Sequence, residues 1–332
     1  VRIGLFLAYW PWLSFEEQVE LAKQADRQGL DSVWVSEAWG SDVVSVLGHL
    51  SAVTERLALG SGLMQIPART PAMCAMTAAT LDVMSGGRFR LGLGVSGPQV
   101  SEGWHGVPFA RPLARTREYV EIVRAALSRQ GPLEFAGREF TLPPEGSELG
   151  KPLKLLAKPV QDRIPIYLGA IGPKAVQQAA EIADGWMPFF VTEDSLATVR
   201  EAGRDLDVSP VVLVCLDEDP ARARDLARPW LALYLGAMGA KGKNFYVETA
   251  TRLGQGESAR RVQELWSGGD RAGAAAALSD ELIEGAAICT TPAGLDDRLA
   301  DYERMGVDTL LALPFGDRAR IVEALAAGVP AG

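Results

Sequence analysis

The 332-residue chain holds only three cysteines and two histidines, and each shortage excludes a class of chemistry. Cys74, Cys215 and Cys289 are odd in number, far apart and outside any C-x-x-C pattern, so neither a disulfide framework nor a zinc ribbon is expected; a reducing cytoplasm fits best. His49 and His105 form no H-E-x-x-H motif and no cluster with cysteines and carboxylates, so no protein-bound metal is expected. The G-x-S-x-G elbow of serine hydrolases and the P-loop are missing as well. No apolar run reaches the roughly 18 residues of a membrane span. The N-terminal VRIGLFLAYW is too short and too soon polar for a signal peptide. An excess of basic charge is also lacking: the net charge is -9 and the pI near 5.0, which disfavours nucleic acid and anionic membrane as partners.

What is present reads as a globular enzyme. With 48% hydrophobic and 23% charged residues and no low-complexity tract, the chain has enough apolar matter for a large core. Its length fits one (β/α)8 barrel of roughly 250 residues plus insertions. Only seven of the 33 basic residues are lysine, a usage that resembles a high-GC genome such as an actinobacterial one.

Short apolar runs alternate with amphipathic helical stretches, the βαβα pattern of a parallel sheet. The runs at 2–7, 30–36, 57–63, 88–94, 164–169, 186–190, 210–216 and 308–313 make eight expected strands, the number of a barrel. Helix starts are signalled at Ser14, Thr70-Pro71 and Gly172-Pro173, and helix ends at Gly29, Gly86, Gly185 and Gly306. Two stretches exceed a minimal βα unit: 131–161, Pro-rich with a β-like LEFAGREFTL, and 239–287, partly helical. Both read as insertions on a single domain spanning 1–332, an α/β (β/α)8 TIM barrel.

A doubly wound Rossmann fold shares the alternation. Its fingerprint G-x-G-x-x-G is matched by Gly92 to Gly97, but the match is weak. A helix should open at once against the pyrophosphate, with an acidic residue about 20 positions on. Here 98–103 reads as loop, the next helix waits until about Pro112, and Glu118 and Glu121 lie inside it.

In a barrel, the residues just after each strand build the active site. Those segments are Ala8-Tyr9-Trp10, Ser36-Glu37-Ala38-Trp39, Gly62-Leu63-Met64-Gln65 and Val95-Ser96-Gly97-Pro98, with Trp104-His105 beyond. Glycines that permit close approach and aromatics that cover apolar faces suit a large planar ring; the alternative is that Trp10 and Trp39 merely plug the barrel top. Glu37 is placed to bond a cofactor or substrate, or else to cap the following helix with Asp42. His105 is a better acid or base candidate than His49, which falls mid-helix. The strand-to-helix segment Gly169-Ala170-Ile171-Gly172-Pro173-Lys174 offers first-turn amides, a positive dipole end and a lysine to an anion, or is simply a tight turn. Lys241, Lys243 and Asn244 either meet an acidic cofactor tail or form a solvated loop. No metal or nucleophile motif competes, so an organic cofactor is expected to carry the chemistry.

These features resemble the luciferase-like monooxygenase superfamily, and within it the deazaflavin-dependent oxidoreductase branch. The stretches that carry the resemblance are LDSVWVSEAWGSD, ERLALGSGLMQIPARTPAMCAMTAATLDVMSGGRFRLGLGVSGPQVSEGWHG, RPLARTREYVEIVRAAL, IPIYLGAIGPKAVQQAAEIADGWMP and TPAGLDDRLADYERMGVDTLLALPF, almost end to end. The resemblance implies a luciferase-like barrel with a non-prolyl cis bond at Gly62-Leu63 beneath the cofactor ring, and the cofactor phosphate held by Gly169 to Lys174. It implies Glu37, Ser61, Gln65, Ser96 and Gly97 against the cofactor, and Trp10, Trp39, Trp104 and His105 on the substrate side. Glu37, His105 and Trp39 are then the catalytic candidates. The implied reaction is hydride transfer between coenzyme F420 and a small organic substrate. The alternatives are an FMNH2-dependent monooxygenase, with FMN as the cofactor, and a cofactor-binding protein without turnover. Several reductases of the branch carry Asp-His after strand two and Glu after strand four. This chain has Glu37-Ala38 and Ser96-Gly97 there, which puts their substrates in doubt. A homodimer pairing through helices one to three is expected.

Overall fold

In the computed structural model, residues 1–238 and 244–328 are described. Eight parallel strands carry the architecture: β1 (Arg2–Leu7), β2 (Ser32–Val35), β3 (Ala58–Ser61), β4 (Phe89–Gly94), β5 (Ile166–Leu168), β6 (Gly185–Trp186), β7 (Val211–Leu216) and β8 (Thr309–Phe315). Neighbours in sequence pair from β1 through β6, and β8 pairs with both β1 and β7. The segment leading into β7 closes the cylinder. On one flank Ser209 N donates to Trp186 O and Val211 N to Pro188 O, both at 2.8 Å; on the other, Asp308 N donates to Val208 O at 3.0 Å and Leu311 N to Pro210 O at 2.9 Å. A doubly wound sheet keeps two open edges, so this closure excludes the Rossmann alternative.

Seven helices follow strands as expected, α1 (Phe15–Gln28), α2 (Val43–Val53), α3 (Pro71–Met84), α4 (Pro112–Ser128), α5 (Pro173–Ile182), α6 (Glu193–Glu201) and α7 (Pro220–Ala237). Ser14 and Glu17 form a reciprocal capping box, and Gly29 ends α1 at φ 82. Gly185 does not end α5, contrary to the expectation. The helix stops at Ile182, and Gly185 opens β6, where a Cβ would lie 2.1 Å from the Tyr167 ring. Among the described residues no helix is long and apolar enough to cross a membrane.

Large rings matched to glycines fill the barrel interior, as close packing demands. Trp34 and Tyr167 meet edge to face at 4.8 Å, and the Trp34 indole N–H donates to Ser32 Oγ at 3.0 Å. Gly60 stands where any side chain would strike Trp34, its Cβ falling 2.1 Å from a ring carbon.

The first insertion is a short antiparallel hairpin, Phe135–Ala136 with Thr141–Leu142. Glu118 of α4 anchors it by accepting from the amides of Arg138, Glu139 and Phe140. The buried Asp82 of α3 accepts from the amides of Val160 and Gln161 and so pins the return to β5. The second insertion is more helical than expected, with helices Phe245–Arg252, Gly256–Ser267, Arg271–Ala276 and Asp280–Glu284. It ends in a strand the sequence pattern does not announce, Ala287–Thr290, which pairs with the outer half of β7. Short and alanine-led, AICT is too brief to separate strand from helix by periodicity. The π-helical turn Gln99–Trp104 stands where a plain loop is expected.

Candidate active site

A cavity of about 770 Å³ opens at the C-terminal ends of the barrel strands, a volume suited to a cofactor and a small molecule together. On its β3–β5 side, the Gly62–Leu63 peptide is cis, as the resemblance implied. Leu63 forms a shelf there. Its Cδ1 lies where a Cβ on Gly169 would sit, at 2.1 Å, and 3.1 Å from a Cβ on Gly94, while a Cβ on Gly92 would reach the Ser61 carbonyl at 2.0 Å. The glycines of the G-x-G pattern therefore make room for this bulge. Next to it Ser96 adopts φ 61, and Ser96 and Gly97 both line the cavity.

Gly169, Ala170, Ile171, Gly172, Pro173 and Lys174 all line the same cavity. Gly172 caps α5 with no side-chain hydrogen bond, and Pro173 occupies the first turn, where a missing N–H loses nothing. The Trp186 indole N–H donates to Ala170 O at 2.9 Å and holds the turn. The positive helix end thus faces the cavity beside an exposed Lys174, while the amides of Ala175 and Val176 both donate to Gly172 O at 2.9 Å.

Glu37 lines the cavity, but its carboxylate is occupied by the protein. Arg69 clamps it with two bonds of 2.7 Å, and the amides of Gln65 and Val43 donate to it at 2.9 and 3.3 Å. The side chain is only 6% exposed. Burial alone would lower the Arg69 pKa, but the Glu37 carboxylate outweighs it and raises it. Glu37 thus has its lone pairs engaged by Arg69, Gln65 and Val43. It bolts the β3 bulge to the end of β2 and lacks the free oxygen that an acid or base needs. Asp42 caps α2 as anticipated and also accepts from Arg69 at 3.1 Å.

Several other expectations shift. Ser61 does not line the cavity: its buried hydroxyl donates to Gly92 O at 2.8 Å and accepts from Gly92 N at 2.9 Å, stitching β3 to β4. His105 and Gln65 meet at 3.1 Å, and Gln65 lines the cavity whereas His105 stands one residue behind it. Trp39 lines the wall, 46% exposed, but Trp10 and Trp104 point away, 60% and 66% exposed. The reason for Trp10 is alternation: Tyr9, not Trp10, turns inward at the end of β1 and is 6% exposed. Asn244 meets no ligand, since its buried amide donates to Leu235 O and accepts from the amides of Tyr246 and Val247. Lys241 and Lys243 lie outside the described residues.

The residues missed by the sequence reading are those on the opposite wall: Phe189 after β6, Trp230 and Tyr234 on α7, and Phe245 and Tyr246 from the second insertion. Phe189 stacks on Tyr234 at 4.6 Å, and Tyr234 packs against Trp230 and Tyr246 at 5.0 Å each. A signal existed, because Trp230 and Tyr234 are four apart and share one helix face. None of the cysteines lines the cavity, and burial pushes the Cys74 thiol up to about 12. Among the described residues no group of His, Cys, Asp and Glu is placed to hold a metal.

Residues 7–309 match the family model of the luciferase-like monooxygenases. The chain belongs to that family. A relative from Mycobacterium tuberculosis, provisionally named a coenzyme F420-dependent oxidoreductase, is 40% identical over 97% of both chains. The 5,10-methylenetetrahydromethanopterin reductase of Archaeoglobus fulgidus is 29% identical over 92% of each. Among solved structures, the coenzyme F420-dependent tetrahydromethanopterin reductase of Methanopyrus kandleri superposes with a TM-score of 0.83, covering 99% of this chain and 98% of that one at 24% identity. The luciferase-like barrel expected from the sequence is the fold of this chain.

Proposed function

We propose that this chain is an oxidoreductase that transfers a hydride between coenzyme F420 and a small organic substrate. The observation that carries the reading is the joint presence, in one cavity, of the cis Gly62–Leu63 shelf and the uncapped α5 terminus with Lys174. The first is flat, apolar and free of side chains at Gly94 and Gly169, which fits a planar ring; the second fits its phosphate. The 40% identical relative and its name support the same cofactor.

When bound, the deazaflavin supplies a ring carbon that gives or takes a hydride, and it reacts poorly with oxygen. The protein's share is geometric. Leu63 supports one ring face, the Glu37–Arg69 pair holds the shelf and the Gln65 backbone in register, and Gly172 to Lys174 fix the anionic end. The aromatic wall keeps water from the other face. His105, through Gln65, is the positioning histidine of the site rather than its acid. Trp39 covers the outer rim.

Titration with oxidised and reduced coenzyme F420 and FMN tests the reading. Affinity in the micromolar range for F420 is expected. Micromolar FMN binding with no response to F420 would sink it in favour of the monooxygenase reading, and F420 binding without turnover over a broad panel would favour a binding protein. We also propose a homodimer through α3, whose Met73, Met76, Val83 and Met84 are each about half exposed on one face. Light scattering should give twice the chain mass, and Met76→Lys should give one.

A further inference from the structure

Between the Gly62–Leu63 shelf and the loop after β4 lies a polar pair whose hydrogen bonds are only half made. Gln65 lines the cavity two residues past the cis bond and is 5% exposed. Its backbone has no freedom: Met64 and Gln65 pair in parallel with Leu93 and Gly94 at the end of β4, and the Gln65 amide donates to Glu37 at 2.9 Å. Only the side chain remains to be set. Its Oε1 stands 3.1 Å from His105 Nε2, while its Nε2 meets no acceptor among the described residues. Unlike the Tyr9 hydroxyl and the Trp230 indole N–H, which are enclosed by the protein, this nitrogen keeps surface open to the cavity.

His105 is held just as tightly. It follows the π-helical turn Gln99–Trp104, and its amide donates to Val100 O at 3.0 Å. Two further bonds close the loop around it: Val107 N donates to Ser101 O at 2.8 Å, and Ser101 Oγ to Val107 O at 2.7 Å. A carboxamide carries one acceptor oxygen and two N–H donors. With the oxygen taken by the imidazole, what Gln65 shows the cavity is donors alone. The imidazole gives that bond both as its Nε2–H tautomer and as the imidazolium; only the Nδ1–H tautomer would reverse it, and Nδ1 has no acceptor among the described residues to enforce that form. Donors at the wall of a cavity call for an acceptor on what binds there.

We infer that His105 fixes the Gln65 carboxamide as a hydrogen-bond donor into the cavity, and that Gln65 selects a bound group that brings a carbonyl oxygen to this wall. The inference deepens the hydride-transfer reading and rests on it. Either partner of that reaction can bring the oxygen, the cofactor ring or a ketone substrate, and a donor holds it more strongly as charge gathers on it. Gln65 touches the ligand, and His105 acts through Gln65 as a positioning residue.

The test is one of polarity. Isothermal titration uses two uncharged probes, 5-deazariboflavin for the ring and acetophenone for a ketone. Gln65→Met, neutral and of similar length, should weaken the probe that supplies the carbonyl by about five- to tenfold, the worth of one hydrogen bond. Gln65→Glu offers acceptors alone and should weaken it further. A loss for 5-deazariboflavin places the oxygen on the cofactor; a loss for acetophenone places it on the substrate. His105→Phe should reproduce the loss, and His105→Gln, which keeps a donor, should restore most of the affinity. In nitrogen-15 NMR spectra of the ligand-free protein at neutral pH, His105 Nε2 should be a protonated ring nitrogen, which a merely structural histidine does not require. Thermal melting checks that the variants are folded. Unchanged affinity of Gln65→Met for both probes, binding by Gln65→Glu equal to the wild type, an unprotonated Nε2, or binding of neither probe at millimolar concentration would each overturn the inference. Failure of coenzyme F420 to bind, with acetophenone still weakened by Gln65→Met, removes the cofactor assignment and leaves the Gln65 donor standing.

Discussion

Glu37→Gln tests whether the acid at the end of β2 is a clamp or a proton donor. The substitution preserves shape but replaces an acceptor oxygen with an NH2 group, which then confronts the Arg69 guanidinium and either the Gln65 or the Val43 amide, all donors. Breaking a well-buried ion pair costs about 3 to 5 kcal/mol. Arg69 keeps Asp42 at 3.1 Å as a second partner, so the expected loss is smaller, about 2 to 3 kcal/mol. With an unfolding entropy of about 2.1 cal/mol/K per residue, a 332-residue chain changes stability by about 0.7 kcal/mol per degree, so Tm should fall by about 3 to 4 °C. Because the same carboxylate holds the Gln65 backbone, affinity for coenzyme F420 should weaken several-fold as well. Scanning calorimetry and titration calorimetry on the same preparation give both numbers. An unchanged Tm together with unchanged cofactor affinity would refute the clamp and return Glu37 to the list of acid candidates.

The phosphate turn should be intolerant of negative charge: Gly172→Asp is expected to weaken F420 binding by more than tenfold, and unchanged affinity would place the phosphate elsewhere. In the barrel centre, Gly60→Ala drives a methyl into the Trp34 ring, so guanidinium titration should show a loss of at least about 3 kcal/mol, at the upper end for overpacking. Asp26 supplies a pH prediction. Burial would raise its pKa, but bonds from the amides of Glu55, Leu57 and Arg56 outweigh it and hold the folded value below the ordinary one. Its contribution is therefore fully present above about pH 4, the unfolded value, and fades as pH falls through the folded one. Asp26→Asn should show a shallower acid limb in melting curves from pH 3 to 6, and parallel curves would rule this out.

The barrel was legible because it is written in local terms. Strand and helix periods, Ser14 before α1, Thr70-Pro71 before α3 and Gly172-Pro173 before α5 depend on a few neighbouring residues, so they survive reading in isolation. The Gly169–Lys174 turn, proposed to hold the cofactor phosphate, was readable as a strand-to-helix turn for the same reason, since a helix start is local. The cis bond was reachable only through resemblance, as no short-range rule for non-prolyl peptides singles out Gly62-Leu63.

Side-chain roles were less readable. Glu37 looked available until Arg69, 32 positions later, was found to hold both its oxygens, and Ser61 looked like a ligand until Gly92 absorbed both its donor and its acceptor. Trp10 and Tyr9 exchanged places because a strand end shows which two residues alternate but not which faces inward. The aromatic wall is the largest omission, since its rings come from β6, α7 and an insertion that reads as mere extra length.

By itself, then, the order of residues determined the alternation, the caps and the start of α5, all matters of hydrogen bonds within a turn or two. Tertiary structure decided which polar groups remain free once every buried partner has been assigned. That assignment spans distant parts of the chain: it closes the barrel through 207–216, uses up the oxygens of Glu37, and leaves the Tyr9 hydroxyl and the Trp230 indole N–H without a partner among the described residues.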